Sequence, residues 1–243
     1  STLFQLTNHP GRELFISSDN QLWVSSFDGL YRTSLKGLTP ERAMETVFSG
    51  NPWTTSFTED SFGNIWIGTY RNGTFCFHKN QTPFQKSMSG KNIECMSTDH
   101  SGNYWIGSLN GEVCVLDSTQ KQIMGKTIFP NDMIHTIYGQ ESSNKVWVGT
   151  MHGLYEAWIE SNKQIVYQKT PGINIPSIRS IVQDSCFLWI ASYNNGVTLY
   201  NYSTQQSVVT YKTDSEVLPL PSNTIRTILK DRENNFCLLY TST

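Results

Sequence analysis

The chain has 243 residues, with 18 Lys and Arg against 20 Asp and Glu, and a formal net charge of −2. Aromatic residues make up 12% and charged residues only 16%, so apolar area is ample and a disordered, solvating chain is excluded. The slight acidic excess, with no basic run, argues against a nucleic-acid partner, and no apolar run approaches the roughly 18 residues of a membrane span.

In chain order, the first apolar run is Leu3–Leu6, read as a strand that could help close a blade. The stretch Asp19-Asn20-Gln21-Leu22-Trp23-Val24-Ser25-Ser26 follows and turns out to be the first copy of a repeat. A helix of one or two turns is expected over Thr39–Glu45, with Thr39 as N-cap and Pro40 in the first helical position. Asn51-Pro52-Trp53 then leads into a strand, and Asp60-Ser-Phe-Gly-Asn-Ile-Trp-Ile-Gly-Thr69 gives the clearest copy. It returns as Asp99-His-Ser-Gly-Asn-Tyr-Trp-Ile-Gly-Ser108, and more loosely as Glu141–Thr150 and Asp184–Ser192. Asp231–Leu239 is a sixth copy, with Cys237 where Trp would stand. Five of the seven tryptophans, at 23, 66, 105, 147 and 189, fall 43, 39, 42 and 42 residues apart.

Each unit has one physical grammar. A short apolar or alternating run, such as Ile134–Tyr138 or Ile178–Val182, reads as an inner strand. An Asp leads into Gly-Asn or a similar pair, which tolerates the positive φ of a tight hairpin. The Trp run follows, then a Gly-containing loop, a third run such as Thr74–Phe77 or Val197–Tyr200, and a variable fourth segment such as Gln206–Tyr211. Four short strands per ~42 residues describe a β-propeller blade rather than a helical repeat. Gly68, Gly107 and Gly149, with Ala191 and Ser25 in the same slot, predict close sheet-to-sheet approach. The expected fold is all-β: one propeller domain over residues 1–243, with five full blades and a partial sixth. At this repeat length the chain reads as part of a larger, roughly seven-bladed propeller.

The Asp60–Thr69 and Asp99–Ser108 copies, with Leu218-Pro-Leu-Pro-Ser-Asn-Thr-Ile-Arg-Thr-Ile228 as a second feature, resemble the two-component regulator propeller repeat. The resemblance implies the periplasmic, N-terminal sensor region of a hybrid two-component histidine kinase of Bacteroidetes type. Such a region responds to oligosaccharides, has no catalytic residues or cofactor of its own, and reaches the membrane only through the rest of the receptor. A homodimer would be compatible with it. A protein-interaction scaffold and a propeller lyase using His135 and His152 with a metal are the alternative functions.

On a propeller, ligands meet the lead-in to each inner strand and the loop between the second and third strands. These positions hold Trp53, Tyr70, Arg71, Asn72, Asn110, His135, His152, Arg179, Tyr193, Asn194 and Arg226, the candidate ligand contacts. Amides and guanidiniums suit sugar hydroxyls, and aromatic rings suit the apolar sugar face. Arg179 and Arg226 occupy equivalent positions and could either meet an acidic ligand group or bridge neighbouring blades. Asp60, Asp99 and Asp184 are read as hairpin caps on the opposite face. Cys76, Cys95, Cys114, Cys186 and Cys237 show no CxxC pair, and Cys76 and Cys114 read as small buried thiols within strands. No Gly-x-Ser-x-Gly, His-Glu-x-x-His or P-loop is present.

Overall fold

The computed structural model describes residues 11–26, 29–36, 44–49, 53–77, 85–87, 92–117 and 122–241. The chain divides into two compact units, Ser1–Asn92 and Ile93–Thr243. Both are built of four-stranded antiparallel meanders, the blades of a β-propeller, and no helix occurs among the described residues.

The first unit holds two blades. One is β1 (Gly11–Ile16), β2 (Gln21–Ser26), β3 (Gly29–Ser34) and β4 (Glu45–Ser49); the other is β5 (Thr54–Glu59), β6 (Ile65–Thr69), β7 (Gly73–Phe77) and β8 (Gln85–Ser87). Trp23, Leu30, Phe57, Ile65 and Ile67 form the core between the two sheets, flanked by Phe15, Val47, Phe75 and Phe77. Leu3–Leu6 and most of the expected Thr39–Glu45 helix lie outside the described residues. Glu45, the last of the seven, opens β4 instead, where its carboxylate takes two hydrogen bonds from the Arg32 guanidinium, at 2.8 and 3.0 Å.

The second unit holds three blades and a hairpin. The blades are β9 (Ile93–Thr98), β10 (Tyr104–Ser108), β11 (Glu112–Leu116) and β12 (Gln122–Thr127); β13 (Ile134–Gly139), β14 (Lys145–Thr150), β15 (Leu154–Ile159) and β16 (Ile165–Lys169); and β17 (Ile178–Asp184), β18 (Phe187–Ser192), β19 (Gly196–Asn201) and β20 (Gln206–Tyr211). β21 (Ile225–Lys230) pairs with β22 (Phe236–Tyr240). The repeated Trp, or Cys237, therefore stands on the second strand of every copy.

Within each unit neighbouring sheets pack face to face, and the Trp-Ile-Gly runs are apolar on both sides: Ile65–Thr69 and Tyr104–Ser108 are buried at every position. The expected close approach is seen at the repeat's glycine. A Cβ on Gly149 would lie 2.5 Å from Ile178 Cγ2 and 2.6 Å from Thr136 Cγ2, and one on Gly107 would lie 2.8 Å from Ile134 Cγ2. The glycine thus lets the inner strand of the next blade seat its isoleucine against the sheet. Hydrogen bonds also tie inner strand to inner strand: Gly139 N–H donates to Ser97 Oγ at 3.1 Å, and Ile228 N–H to Ser180 Oγ at 3.1 Å.

The turn acids act as caps where the Trp follows by six residues. Asp99 Oδ1 accepts from the Ser101 and Asn103 backbone, both at 3.0 Å, and Oδ2 accepts from Asn103 Nδ2 and Trp105 Nε1, both at 2.9 Å. Asp60 repeats this with Phe62, Asn64 and Trp66. Burial works against the ionised Asp60, but the hydrogen bonds from Asn64, Trp66 and Phe62 outweigh it and hold the carboxyl below its ordinary range. Asp184 departs from the expectation. Its turn is only Ser185-Cys186, too short to fold back over the carboxylate, which instead pairs with Lys230 Nζ at 2.8 Å.

Candidate functional site

The lead-in to each inner strand is the part of the fold that carries irregular backbone. In every copy the ladder between the first and second strands skips one residue, two positions into the inner strand. The skipped residues are Arg12 and Thr55 in the first unit, and Glu94, His135, Arg179 and Arg226 in the second. A β-bulge of this kind leaves one residue out of the pairing and turns its side chain away from the sheet's regular alternation. All six are polar, and four in succession lie in the second unit.

There they form a connected row. Arg179 Nη1 lies 3.1 Å from His135 Nδ1, and that nitrogen lies 4.0 Å from Glu94 Oε1. Arginine has donors only, so His135 Nδ1 accepts and the ring's own proton sits on Nε2. The 4.0 Å approach of Glu94 is accordingly not an ion pair with the ring. His135 and Glu94 are buried, whereas Arg179 and Arg226 are half-buried. Both guanidiniums reach the Tyr193 ring, with Cζ 5.5 Å from its centroid for Arg179 and 5.7 Å for Arg226. Tyr193 itself is held by its backbone, whose N–H donates to Ser177 O at 3.0 Å, and stays 40% exposed.

The other candidates of this unit serve more local contacts. Asn194 adopts a positive φ of 67° and its Oδ1 accepts from Thr224 Oγ1 at 2.7 Å, tying the loop to the lead-in of β21. Asn110 Oδ1 accepts from Ser108 Oγ and, at 3.3 Å, from Glu112 N–H, so its side chain closes the β10–β11 turn. His152 is exposed and its Nδ1 lies 3.0 Å from Asp132 Oδ1, which also accepts from Met133 N–H. His135 and His152 thus have separate partners. Among the described residues no group of three or more His, Cys, Asp and Glu could hold a metal ion.

In the first unit Trp53 and Tyr70 stand at the equivalent lead-in and loop positions. Tyr70 N–H donates to Trp53 O at 2.8 Å, the rings lie 5.4 Å apart at 30°, and Arg71 Cζ sits 5.1 Å from the Tyr70 centroid. Trp53 is 39% exposed. Arg71 is exposed at a positive φ of 71°, and Asn72 is half-buried beside it. This partly exposed aromatic pair has a guanidinium at its side, a combination that suits a sugar face and its hydroxyls.

Sequence reasoning placed His135, Arg179 and Arg226 at the inner strands but passed over Glu94, Arg12 and Thr55. The available signal was an offset: these residues stand ten to twelve positions before the repeat Trp or Cys237. The offset is eleven in four copies, twelve where the Gln140–Lys145 turn is one residue longer, and ten where the Ser185-Cys186 turn is shorter.

Comparison with protein families matches residues 48–71 to the two-component regulator propeller. That stretch carries a two-component regulator propeller repeat. The matched segment spans β5 and β6, including the Asp60 cap and Trp66. Comparison with curated protein sequences gives no match. Among solved structures, the chain is similar to an auxiliary nutrient binding protein from Bacteroides thetaiotaomicron, with a TM-score of 0.75 at 14% identity, covering 94% of this chain and 66% of that one. It is also similar to the extracellular domain of a hybrid two component system from B. thetaiotaomicron, with a TM-score of 0.60 at 20% identity and coverage of 94% and 38%. A third is the virginiamycin B lyase of Staphylococcus aureus, an inactive variant with quinupristin, with a TM-score of 0.67 at 16% identity and coverage of 94% and 77%. At these identities the likeness is one of propeller fold. The chain spans 66% of the first of these proteins and 38% of the second. No helix among the described residues is long and apolar enough to cross a membrane.

Proposed function

We propose that this propeller is the non-catalytic ligand-sensing part of an extracytoplasmic two-component receptor. It binds a small hydroxyl-rich ligand, an oligosaccharide, on the loops at the lead-in ends of its inner strands. The observation that carries the reading is the repeated bulge. It presents polar side chains from rigid strands at one register, next to exposed aromatic residues, in a chain that carries the regulator propeller repeat. At that register Arg179 is engaged with His135, and in the loops beside it His152 with Asp132, pairs that orient side chains for binding. Ligand would act by favouring one packing or dimer state of the receptor through differential affinity. The receptor's attachment to a membrane, and its kinase, would come from other parts of a longer protein.

Isothermal titration of the intact protein with a panel of neutral and acidic oligosaccharides tests this. Saturable binding by at least one of them, without turnover of the sugar, is expected. No binding across the panel, or hydrolysis or elimination of a bound sugar, would overturn it.

A further inference from the structure

We propose that Arg179 and Arg226, set around Tyr193, form a seat for an anionic group, a carboxylate or a sulfate ester, carried on a sugar ring. The inference rests on the ligand-binding reading above and narrows it to acidic glycans.

Two cations converge on one aromatic ring. From their distances to the Tyr193 centroid, the guanidinium carbons lie no more than about 11 Å apart, where like charges in a partly buried setting repel. The row of bulge residues offsets only one of them. The Glu94 carboxylate lies 4.0 Å from the same His135 nitrogen that Arg179 reaches, and no carboxylate among the described residues pairs with Arg226.

The geometry also fixes how the charge is presented. His135 is buried and accepts from Arg179 Nη1, so it orients one guanidinium from below. Tyr193 holds both guanidiniums against its ring by cation–π attraction, so at least one face of the ring serves the arginines and not a sugar. Each arginine stands on a bulge of a strand, and its planar fork matches the paired oxygens of a carboxylate or sulfate. An oxyanion between the two forks would relieve their repulsion and accept hydrogen bonds from both. A neutral sugar would do neither.

The test titrates the intact protein with four probes: trigalacturonic acid, a sulfated chondroitin disaccharide, neutral galactotriose and sodium sulfate. One or both charged sugars should bind at least tenfold more tightly than galactotriose, and their affinity should fall as NaCl is raised from 50 to 300 mM. Arg226→Gln should weaken the charged sugar at least tenfold with an unchanged circular dichroism spectrum, and Arg226→Lys should recover part of the loss. Galactotriose binding as tightly as the charged sugars would overturn this inference and leave the sensing reading intact. Sodium sulfate binding as tightly as they do would reduce the seat to an adventitious anion site and also overturn it. Full-strength binding by Arg226→Gln would place the anion elsewhere. If none of the sugars binds, the proposal and the reading beneath it both fail.

Discussion

Asp99 and Asp231 make the same turn hydrogen bonds, but only Asp99 also holds a buried indole, so the pair separates the worth of the cap from the worth of the latch. Asp99→Ala removes an acceptor that takes four hydrogen bonds, from Ser101 N, Asn103 N, Asn103 Nδ2 and Trp105 Nε1. Ser101 is exposed and Asn103 half-buried, so their donors regain water. Trp105 is fully buried at 0% exposure and its N–H cannot. Stranding a buried donor costs about 1–3 kcal/mol, and the lost charge-assisted turn bonds add about 1–2, for a total of about 2–5 kcal/mol. Asp231→Ala loses the bonds from Glu233 N, Asn235 N and Asn235 Nδ2 on an exposed turn, with Cys237 in the Trp position, and should cost about 1 kcal/mol. Urea unfolding of the intact protein, followed by far-UV circular dichroism, measures both. A double-mutant cycle of Asp99→Ala with Trp105→Phe should return a coupling of about 1–3 kcal/mol, because Phe removes the stranded donor. Equal costs at the two sites, or a coupling near zero, would refute the argument that the buried indole makes the Asp–Trp spacing recur.

Three further measurements probe the same framework. Gly149→Ala puts a methyl 2.5 Å from Ile178 Cγ2, in a side chain with 0% exposure, and should lower stability by about 1–3 kcal/mol in the same unfolding assay. The carboxyls of Asp60 and Glu156 are held below their ordinary values of 3.8 and 4.5: burial opposes ionisation in both, and the bonds from Asn64, Trp66 and Phe62, or from Gln140, Lys145 and Gln168, outweigh it. Their stabilisation is therefore complete above the ordinary values and lost as pH falls through the lowered ones, so Tm should be level from pH 7 to 5 and drop below about pH 4, with a shallower drop for Asp60→Asn. Among the thiols, Cys76 is buried and its pKa is pushed up to about 12, and Cys95 and Cys114 are buried as well, whereas Cys237 is exposed. Burial and Asp231 push the Cys237 thiol up as well, so Ellman's reagent at pH 8 should label Cys237 slowly but completely, and those three only after denaturation.

The blades were legible because their signals are local and repeat. The Trp register fixes the second strand, the Gly-Asn turns fix the hairpin before it, and the small residue after Trp-Ile fixes where the next sheet approaches. Gly102 illustrates the turn signal: it adopts a φ of 79° with nothing within 4 Å of a Cβ, so conformation alone selects glycine there. Where the repeat weakens, the reading weakened with it. Asp184 looked like another cap, but a two-residue turn leaves no amides to fold over it, and turn length is a property of the pair of strands.

The candidate site was harder to read for the same reason. A bulge belongs to the register between two strands, so no single segment announces it, and Glu94 in Asn92-Ile93-Glu94-Cys95 looks like any alternating position of a half-buried strand. The residue types there also differ from copy to copy: Arg, Thr, Glu, His, Arg, Arg. Repeat detection rewards what stays the same, and the blade's conserved grammar is its packing and its Asp–Trp latch. Function in a repeat scaffold sits where copies share a backbone irregularity and differ in side chain, because rigid identical strands can then present a distinct chemical row. The four bulges of the second unit meet that description. Asn110 and Asn194 do not: their oxygens accept from Ser108 and Thr224, and loop amides of that kind hold the frame on which the row is displayed.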